Sequence, residues 1–232
     1  MSVAIDAIGA EQAGIGVTSL NYTGLTIGAS LSNGALVVPI YDNKNTTTNI
    51  VKWGSAALTL INAINFGVSP PCMVQLWQLL NPQSGNQTLS ITWDGTIKSI
   101  KVAAMSFKGV NQAGGVISFP NSNTNTAAGS SAISLNIASA ATDAVIAVMG
   151  NVRTGAPILT AVNQTQLFVD NTAGPGAAAC GGAGSNYAVP GSGVVSMTGT
   201  LSNATDTWGI VATDIAAATG SFSKGTQGVI VQ

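Results

Sequence analysis

The chain has no histidine among its 232 residues. This removes the commonest side chain that titrates near neutral pH. With it go Ser-His-Asp and Cys-His nucleophile systems and imidazole-based metal sites. Charge is nearly as scarce: Asp, Glu, Lys and Arg make up 6 % of residues, against about 25 % in ordinary soluble domains. The five lysines from Lys44 to Lys108 and the single Arg153 are scattered. No basic stripe is therefore available to displace counterions from nucleic acid or to hold an anionic membrane.

Long apolar runs are missing too. The longest, such as Ala35–Tyr41, are strand-length and fall short of the roughly 20 residues of a spanning helix. The start, Met1 to Asp6, lacks the basic and apolar segments of a secretory signal, so export by a signal still present is not expected. Only two cysteines occur, Cys72 and Cys180. They are too far apart for zinc-ligand spacing. They could form one disulfide; the reading carried forward is two unpaired small apolar residues, with Cys180 in a Gly/Ala loop.

What remains is apolar and neutral polar. Apolar residues are 46 % of the chain, too many for disorder, and at this length roughly 70 % of the unfolded surface can be buried without staples. Period-2 alternation with β-branched residues recurs from end to end. In Gln87–Trp93, Leu89, Ile91 and Trp93 share one face, and Asp94-Gly95 follows as a turn signal. Ile97–Phe107 then predicts the second arm of a hairpin, with Ala103, Met105 and Phe107 on the face of Lys101 and the lysines at its wet end. Further strands are predicted at Ser2–Ile8, Val17–Tyr22, Ala35–Tyr41, Asn49–Trp53, Leu58–Asn62, Met73–Leu80, Ile133–Ile137, Ala144–Met149, Gln164–Val169, Gly193–Leu201 and Thr207–Ile215. No window carries a capped helical stripe, and Ala138–Asp143 reads as a loop.

Many short strands without covering helices predict an all-β fold, a two-sheet antiparallel sandwich of jelly-roll type. Residues 1–215 are expected to form one domain. Residues 216–232, ending in Val229-Ile230-Val231, read as a flexible tail and a candidate assembly arm. Asn121–Ser131 and Thr172–Ser185 are compositionally simple; either could mark a domain boundary, but both read better as long loops at one end of the sandwich.

The residues offer little for catalysis. The acids are Asp6, Glu11, Asp42, Asp94, Asp143, Asp170, Asp206 and Asp214, mostly beside turn residues at strand ends, where Asp is expected as a turn former. A carboxylate-dependent glycan hydrolase is the least favoured reading, and Asp94 and Asp206 are the acids at which alanine would test it. Gly181-Gly182-Ala183-Gly184 lacks the lysine and helix of a phosphate loop. Asp42-Asn43-Lys44-Asn45 alternates oxygen ligands suited to calcium, but the central lysine favours a plain turn. Trp53, Trp77, Trp93 and Trp208 lie in alternating apolar stretches and predict core packing for at least three of them. Asn-X-Ser/Thr triplets at Asn21, Asn45, Asn86, Asn163 and Asn203 are expected by chance in so Asn- and Thr-rich a chain. No catalytic, cofactor-binding or metal-ligating residue is assigned, and no enzyme activity or cofactor is expected.

Three segments carry a resemblance. Val74–Pro82 ("VQLWQLLNP") leads into Gln87–Trp93; Ala103–Gln112 contains "SFKGVNQ"; and Asp206–Ala212 ends in "WGIVA". In this order, over most of residues 35–215, the chain resembles a β-sandwich module of secreted bacterial surface proteins and of phage structural proteins. The motifs are packing and turn signatures, so the resemblance implies no active site. Combined with an extracellular-type surface poor in charge and with no export signal, it points to a virion protein made in the host cytoplasm, for capsid decoration or as part of a tail or fibre, with other virion proteins and its own copies as partners. The alternative is an extracellular carbohydrate-binding or adhesive module, with loops such as Asn121–Ser131 as its surface for a glycan.

Overall fold

The computed structural model describes the chain except for residues 30, 44–49, 68–70, 98, 153–158, 163, 172–179 and 220–232. In chain order the first strands are β1 (Ala4–Ile8), β2 (Gln12–Gly14), β3 (Val17–Tyr22), β4 (Ala35–Asp42), β5 (Ile50–Trp53), β6 (Ala56–Ala57) and β7 (Thr59–Phe66). Next come β8 (Cys72–Leu80), β9 (Leu89–Ile97), β10 (Ile100–Val102) and β11 (Met105–Lys108), then one helical turn, α1 (Gly115–Ser118). The remainder are β12 (Ser122–Ala128), β13 (Ala132–Ala138), β14 (Ala144–Val152), β15 (Leu159–Val162), β16 (Thr165–Asp170), β17 (Cys180–Ala188), β18 (Val194–Leu201) and β19 (Thr207–Ile215). Strand covers 63 % of residues and helix 2 %, which confirms the all-β class.

The antiparallel sheets pack face to face as expected, but in four layers. The first is β3-β9-β5-β6; the second holds β7, β8, β4, β10, β11, β1 and β2. The third is β12-β19-β14-β17-β16 and the fourth is β13-β18-β15. Residues up to 110 build the first two layers and residues from 122 the last two. Three apolar cores separate the four layers.

This stacking explains two kinds of strand pattern. The outer sheets have one wet face, and their strands alternate: β13 and β18 are buried at every second residue. The inner sheets are covered on both faces, so all eight residues of β4 are buried, as are eight of nine in β14 and in β19. In β4, Leu36, Val38 and Ile40 face the first sheet, while Val37 and Tyr41 face the third.

Pro39 sits inside this central strand, where its missing N–H would leave a gap in the ladder. Its carbonyl accepts from the Ala103 amide at 3.3 Å, so the ring nitrogen faces the same neighbour. There the neighbour breaks at Ala103-Ala104 into β10 and β11. The break continues into the next strand as the interval between β1 and β2, where the Gly9 amide donates to the Ala104 carbonyl. Glu11 lies on this fault.

The seam between the second and third sheets is set by two glycines. Gly150 of β14 and Gly209 of β19 are directly opposite in the ladder. A Cβ on Gly150 would collide with the Tyr41 ring, and one on Gly209 with the Phe66 ring. Those rings stack with centroids 6.3 Å apart and an interplanar angle of 28°, and the Tyr41 hydroxyl donates to the Asn151 carbonyl at 2.8 Å. The glycine pair is thus a notch, and the two aromatics fill it.

Several sequence readings change. Gln87–Trp93 and Ile97–Phe107 form no hairpin: β9 runs through Asp94-Gly95 in the first sheet, and β10 and β11 lie in the second. Lys101 is not at a wet end but 1 % exposed, because the third sheet covers its face. Ser122–Ala128, read as a loop, is β12, hydrogen-bonded along its length to β19. Cys180–Ser185, also read as loop, is strand in β17; Gly174-Pro175-Gly176 lies outside the described residues. The tail does not begin at 216: the Ala216 amide donates to the Ser118 carbonyl at 2.9 Å and the Ala218 amide to the Gly109 carbonyl at 2.7 Å. Val229-Ile230-Val231 lies outside the described residues.

Cys72 is not an unpaired thiol but disulfide-bonded, and the sequence has one other cysteine, Cys180. By count the bond joins β8 to β17, from the second sheet to the third, a link that their separation in sequence hides.

Two stability outcomes follow. Gly150→Ala forces the Tyr41 ring out of its notch and should lower stability by about 1–3 kcal/mol, the usual effect of overpacking, as read from urea unfolding. Reduction of the disulfide should remove about 2–4 kcal/mol, seen as a lower melting temperature with reductant for the wild type and none for Cys72→Ala.

Candidate functional site

Of the eight acids, only Asp94 is exposed; Asp42, Asp143, Asp206 and Asp214 are buried. Asp143 does close a turn, its carboxylate accepting from the Ala140 amide and its own amide donating to the Ala140 carbonyl, while Asp42, Asp206 and Asp214 are turned inward onto side-chain partners. Asp42 ends β4 and accepts from Gln75 Nε2 at 2.7 Å, and Gln75 Oε1 accepts in turn from Trp77 Nε1 at 3.0 Å. Asn43 Oδ1 accepts from the Ser99 amide at 3.1 Å. These two residues of the expected plain turn are thus engaged internally, and Lys44 and Asn45 lie outside the described residues. Asp206 accepts from Asn151 Nδ2 at 2.8 Å. Asp94 is in the first sheet and Asp206 leads into the third, so the structure does not bring this candidate catalytic pair together.

Two carboxyl clusters do form, and the sequence did not show either. In one, Asp143 accepts at Oδ1 from the Ala217 amide at 2.8 Å and at Oδ2 from the Ala140 amide at 3.2 Å. Asp214, 1 % exposed, lies beside it. Burial pushes Asp214 up to about 6; the Asp143 charge and its hydrogen bond push the same way, and hydrogen bonds from Ser139 and Asn121 oppose. Asp143 thereby pins the last described stretch of chain.

The second cluster crosses the seam between inner sheets. Lys101 Nζ of β10 is 3.2 Å from Asp170 Oδ2 of β16 and donates to the Asp170 carbonyl at 2.7 Å. Glu11 completes it. Lys101 is opposite Ala13 in the ladder, so Glu11, two residues before Ala13, shares its face. Burial chiefly, then the Asp170 charge, push Glu11 up to about 7, while Lys101 pulls it down; a side-chain hydrogen bond to Asp170 raises it further. Burial lowers the affinity of Lys101 for its proton, against the pull of Asp170 and Glu11. The three residues are 11, 101 and 170 in sequence, and no local pattern joins them.

The open surfaces carry different chemistry. A groove of about 440 Å³ runs between β7, α1 and β12, lined by Thr59, Ile61, Gln78, Val116, Phe119 and Ser122, among others, with no ionisable side chain. A second, of about 450 Å³, lies along β16, β17 and β18 between Gln164, Tyr187, Pro190 and Ser196. Every described aromatic ring is buried, all four tryptophans included, so among the described residues no exposed ring offers a sugar a stacking platform. Among the described residues no three His, Cys, Asp or Glu side chains form a metal-binding group, and no helix is long and apolar enough to cross a membrane.

Asn and Gln side chains finish the sheet edges. From β12 and the residue before it, Asn125 Nδ2 donates to the Ser134 carbonyl at 3.0 Å and Asn121 Nδ2 to the Ala138 carbonyl at 2.9 Å, tying third sheet to fourth. Gln164 Nε2 donates to the Ser196 carbonyl at 2.6 Å and its Oε1 accepts from the Thr198 amide at 3.3 Å. The fourth sheet turns outward matched pairs of uncharged residues: Ala132 with Thr200, Ser134 with Thr198, Asn136 with Ser196 and, at its apolar end, Ala138 with the exposed Val194. No protein family matches the chain, and no curated protein matches it.

The clusters set the pH dependence. Glu11 and Asp214 both have raised folded-state pKa values, so the folded chain holds protons that the unfolded chain releases. That stability is complete below the unfolded values of 4.5 and 3.8 and is lost as pH rises through about 6 and 7. The melting temperature should therefore be higher at about pH 5 than at about pH 8, and Glu11→Gln with Asp214→Asn together should flatten the profile.

Proposed function

We propose that the chain is a non-enzymatic structural protein of a particle surface, a phage virion component that decorates a capsid or forms part of a tail or fibre, and that it works as a homo-oligomer. The observation that carries this reading is the neutral, regular outer face of the fourth sheet, together with the disulfide across the seam. Stable disulfides belong to environments more oxidising than the cytosol. A virion protein meets such conditions after release from its host. A face of Ser, Thr, Asn, Ala and one Val side chain with its edges bonded by amides suits packing against copies of itself, because it has little charge to desolvate or repel. The likeness of Val74–Pro82, Ala103–Gln112 and Asp206–Ala212 to the phage and surface-protein module supports the same reading. The glycan-binding alternative draws less support: its expected loop, Asn121–Ser131, is mostly strand β12, and the described aromatic rings, the groups that stack on sugars, are buried.

Light scattering coupled to size-exclusion chromatography tests this on the full chain and on a chain ending at Thr219. The expected result is an oligomer at micromolar concentration that persists in about 1 M salt, where the Debye length is about 3 Å. Ser134→Glu on the outer face should dissociate it. A monomer throughout, with binding on a glycan array, would overturn the proposal in favour of the adhesive module.

A further inference from the structure

We propose that Lys101 and Asp170 condense into an intramolecular isopeptide bond that joins the two inner sheets, with Glu11 as the catalytic acid–base. The inference is independent of the functional reading above. It rests on three facts of geometry. Nζ of Lys101 is 3.2 Å from Oδ2 of Asp170, one bond from the carbon it would attack. The lysine is 1 % exposed and the aspartate side chain 10 %, so water is largely excluded. A third carboxyl, Glu11, is hydrogen-bonded to the aspartate, and its Oε1 is buried without a hydrogen-bond partner.

A plain buried ion pair needs one acid and one base. A second acid in the same site adds repulsion unless it carries a proton. The proton has a use here. An amine attacks only as the free base, and a carboxylate accepts attack poorly until it is protonated. The raised proton affinity of Glu11 and the lowered affinity of Lys101, both caused first by burial, move one proton from the ammonium towards the glutamic acid. Holding the amine against the carboxyl, with Nζ 3.2 Å from Oδ2, in a fixed geometry supplies much of the remaining barrier reduction.

The step balances without any co-reactant. With Lys101 as the amine, Glu11 gives its proton to the Asp170 carboxylate. Nζ adds to Cγ, forming the C–N bond, and the resulting ammonium returns a proton to Glu11. Glu11 delivers that proton to the hydroxyl on Cγ, the C–O bond breaks, and water leaves. Overall an ammonium and a carboxylate become an amide and one water, no electron is transferred, and Glu11 ends ionised.

Intact mass spectrometry of the folded, then denatured and reduced, full-length chain is the test. The wild type is expected to be lighter than its sequence by one water, and proteolysis should yield the Lys101 and Asp170 peptides as one branched species. Glu11→Gln keeps the size and hydrogen-bonding shape of the side chain; with an unchanged circular-dichroism spectrum it should show the full mass of its own sequence. Lys101→Met should do the same. Wild type at full mass after prolonged incubation near neutral pH would overturn the proposal. So would a missing water that maps to Asp94-Gly95, where a succinimide loses the same mass. A bond that forms equally well in Glu11→Gln would remove Glu11 from the chemistry.

Discussion

The contact between the two inner sheets is the constraint on which the architecture turns. Each half of the chain, an outer sheet on an inner one, has one inner-sheet face that is apolar and would be left open. Closing these faces on each other demands an approach near the usual 10 Å spacing of packed sheets. Two large rings, Tyr41 and Phe66, project into that space side by side. Room for them comes from Gly150 and Gly209, which face each other across the β14–β19 ladder. Glycine inside a strand weakens it, and the usual reason to find one there is a close approach by another group. Here two such weaknesses occur at one rung, and the approaching groups come from the other half of the chain.

The seam also collects the polar groups that an apolar contact does not need. The Tyr41–Asn151 hydrogen bond, the Lys101–Asp170 pair and the disulfide at Cys72 all span it. Apolar packing alone fixes distance but tolerates sliding, because one flat β surface fits another in several registers. Directional links at separate points along the strands remove that freedom. Pro39 contributes from within the second sheet: by interrupting the neighbouring strand at Ala103-Ala104 it opens the fault on which Glu11 sits, against Lys101 and Asp170.

The sequence showed the strands well where burial is one-sided or continuous. Alternation in Ile133–Ile137 and Gly193–Leu201 matches β13 and β18, whose outward residues are wet. The unbroken apolar runs at Ala35–Tyr41 and Ala144–Met149 were legible as strands, but a run buried on both faces does not say what covers the second face. The four-layer count was lost there. β12 was hidden because Ser122–Ala128 has no apolar period; it is a strand by virtue of pairing with β19. β17 was hidden by its Gly and Ala residues, which suit a strand pressed between neighbours but read locally as a flexible loop. The two carboxyl clusters could not be read at all, since they depend on register across sheets rather than on spacing along the chain.

The distribution of charge inverts the usual rule that ionisable side chains stay at the surface. Among the described residues only Lys52, Asp94 and Lys108 are exposed, while four acids and Lys101 are buried. Low charge content is therefore not a diluted form of an ordinary protein surface. The exterior is built from neutral groups, and much of the remaining charge is at internal junctions, where each ionised or shared proton holds a strand end or a sheet in place. Such an exterior gives up long-range electrostatic steering and repulsion together. It suits contacts made once, at high local concentration, and kept in any salt. The interior charges, shielded from that salt, stay free to set how firmly the halves are joined.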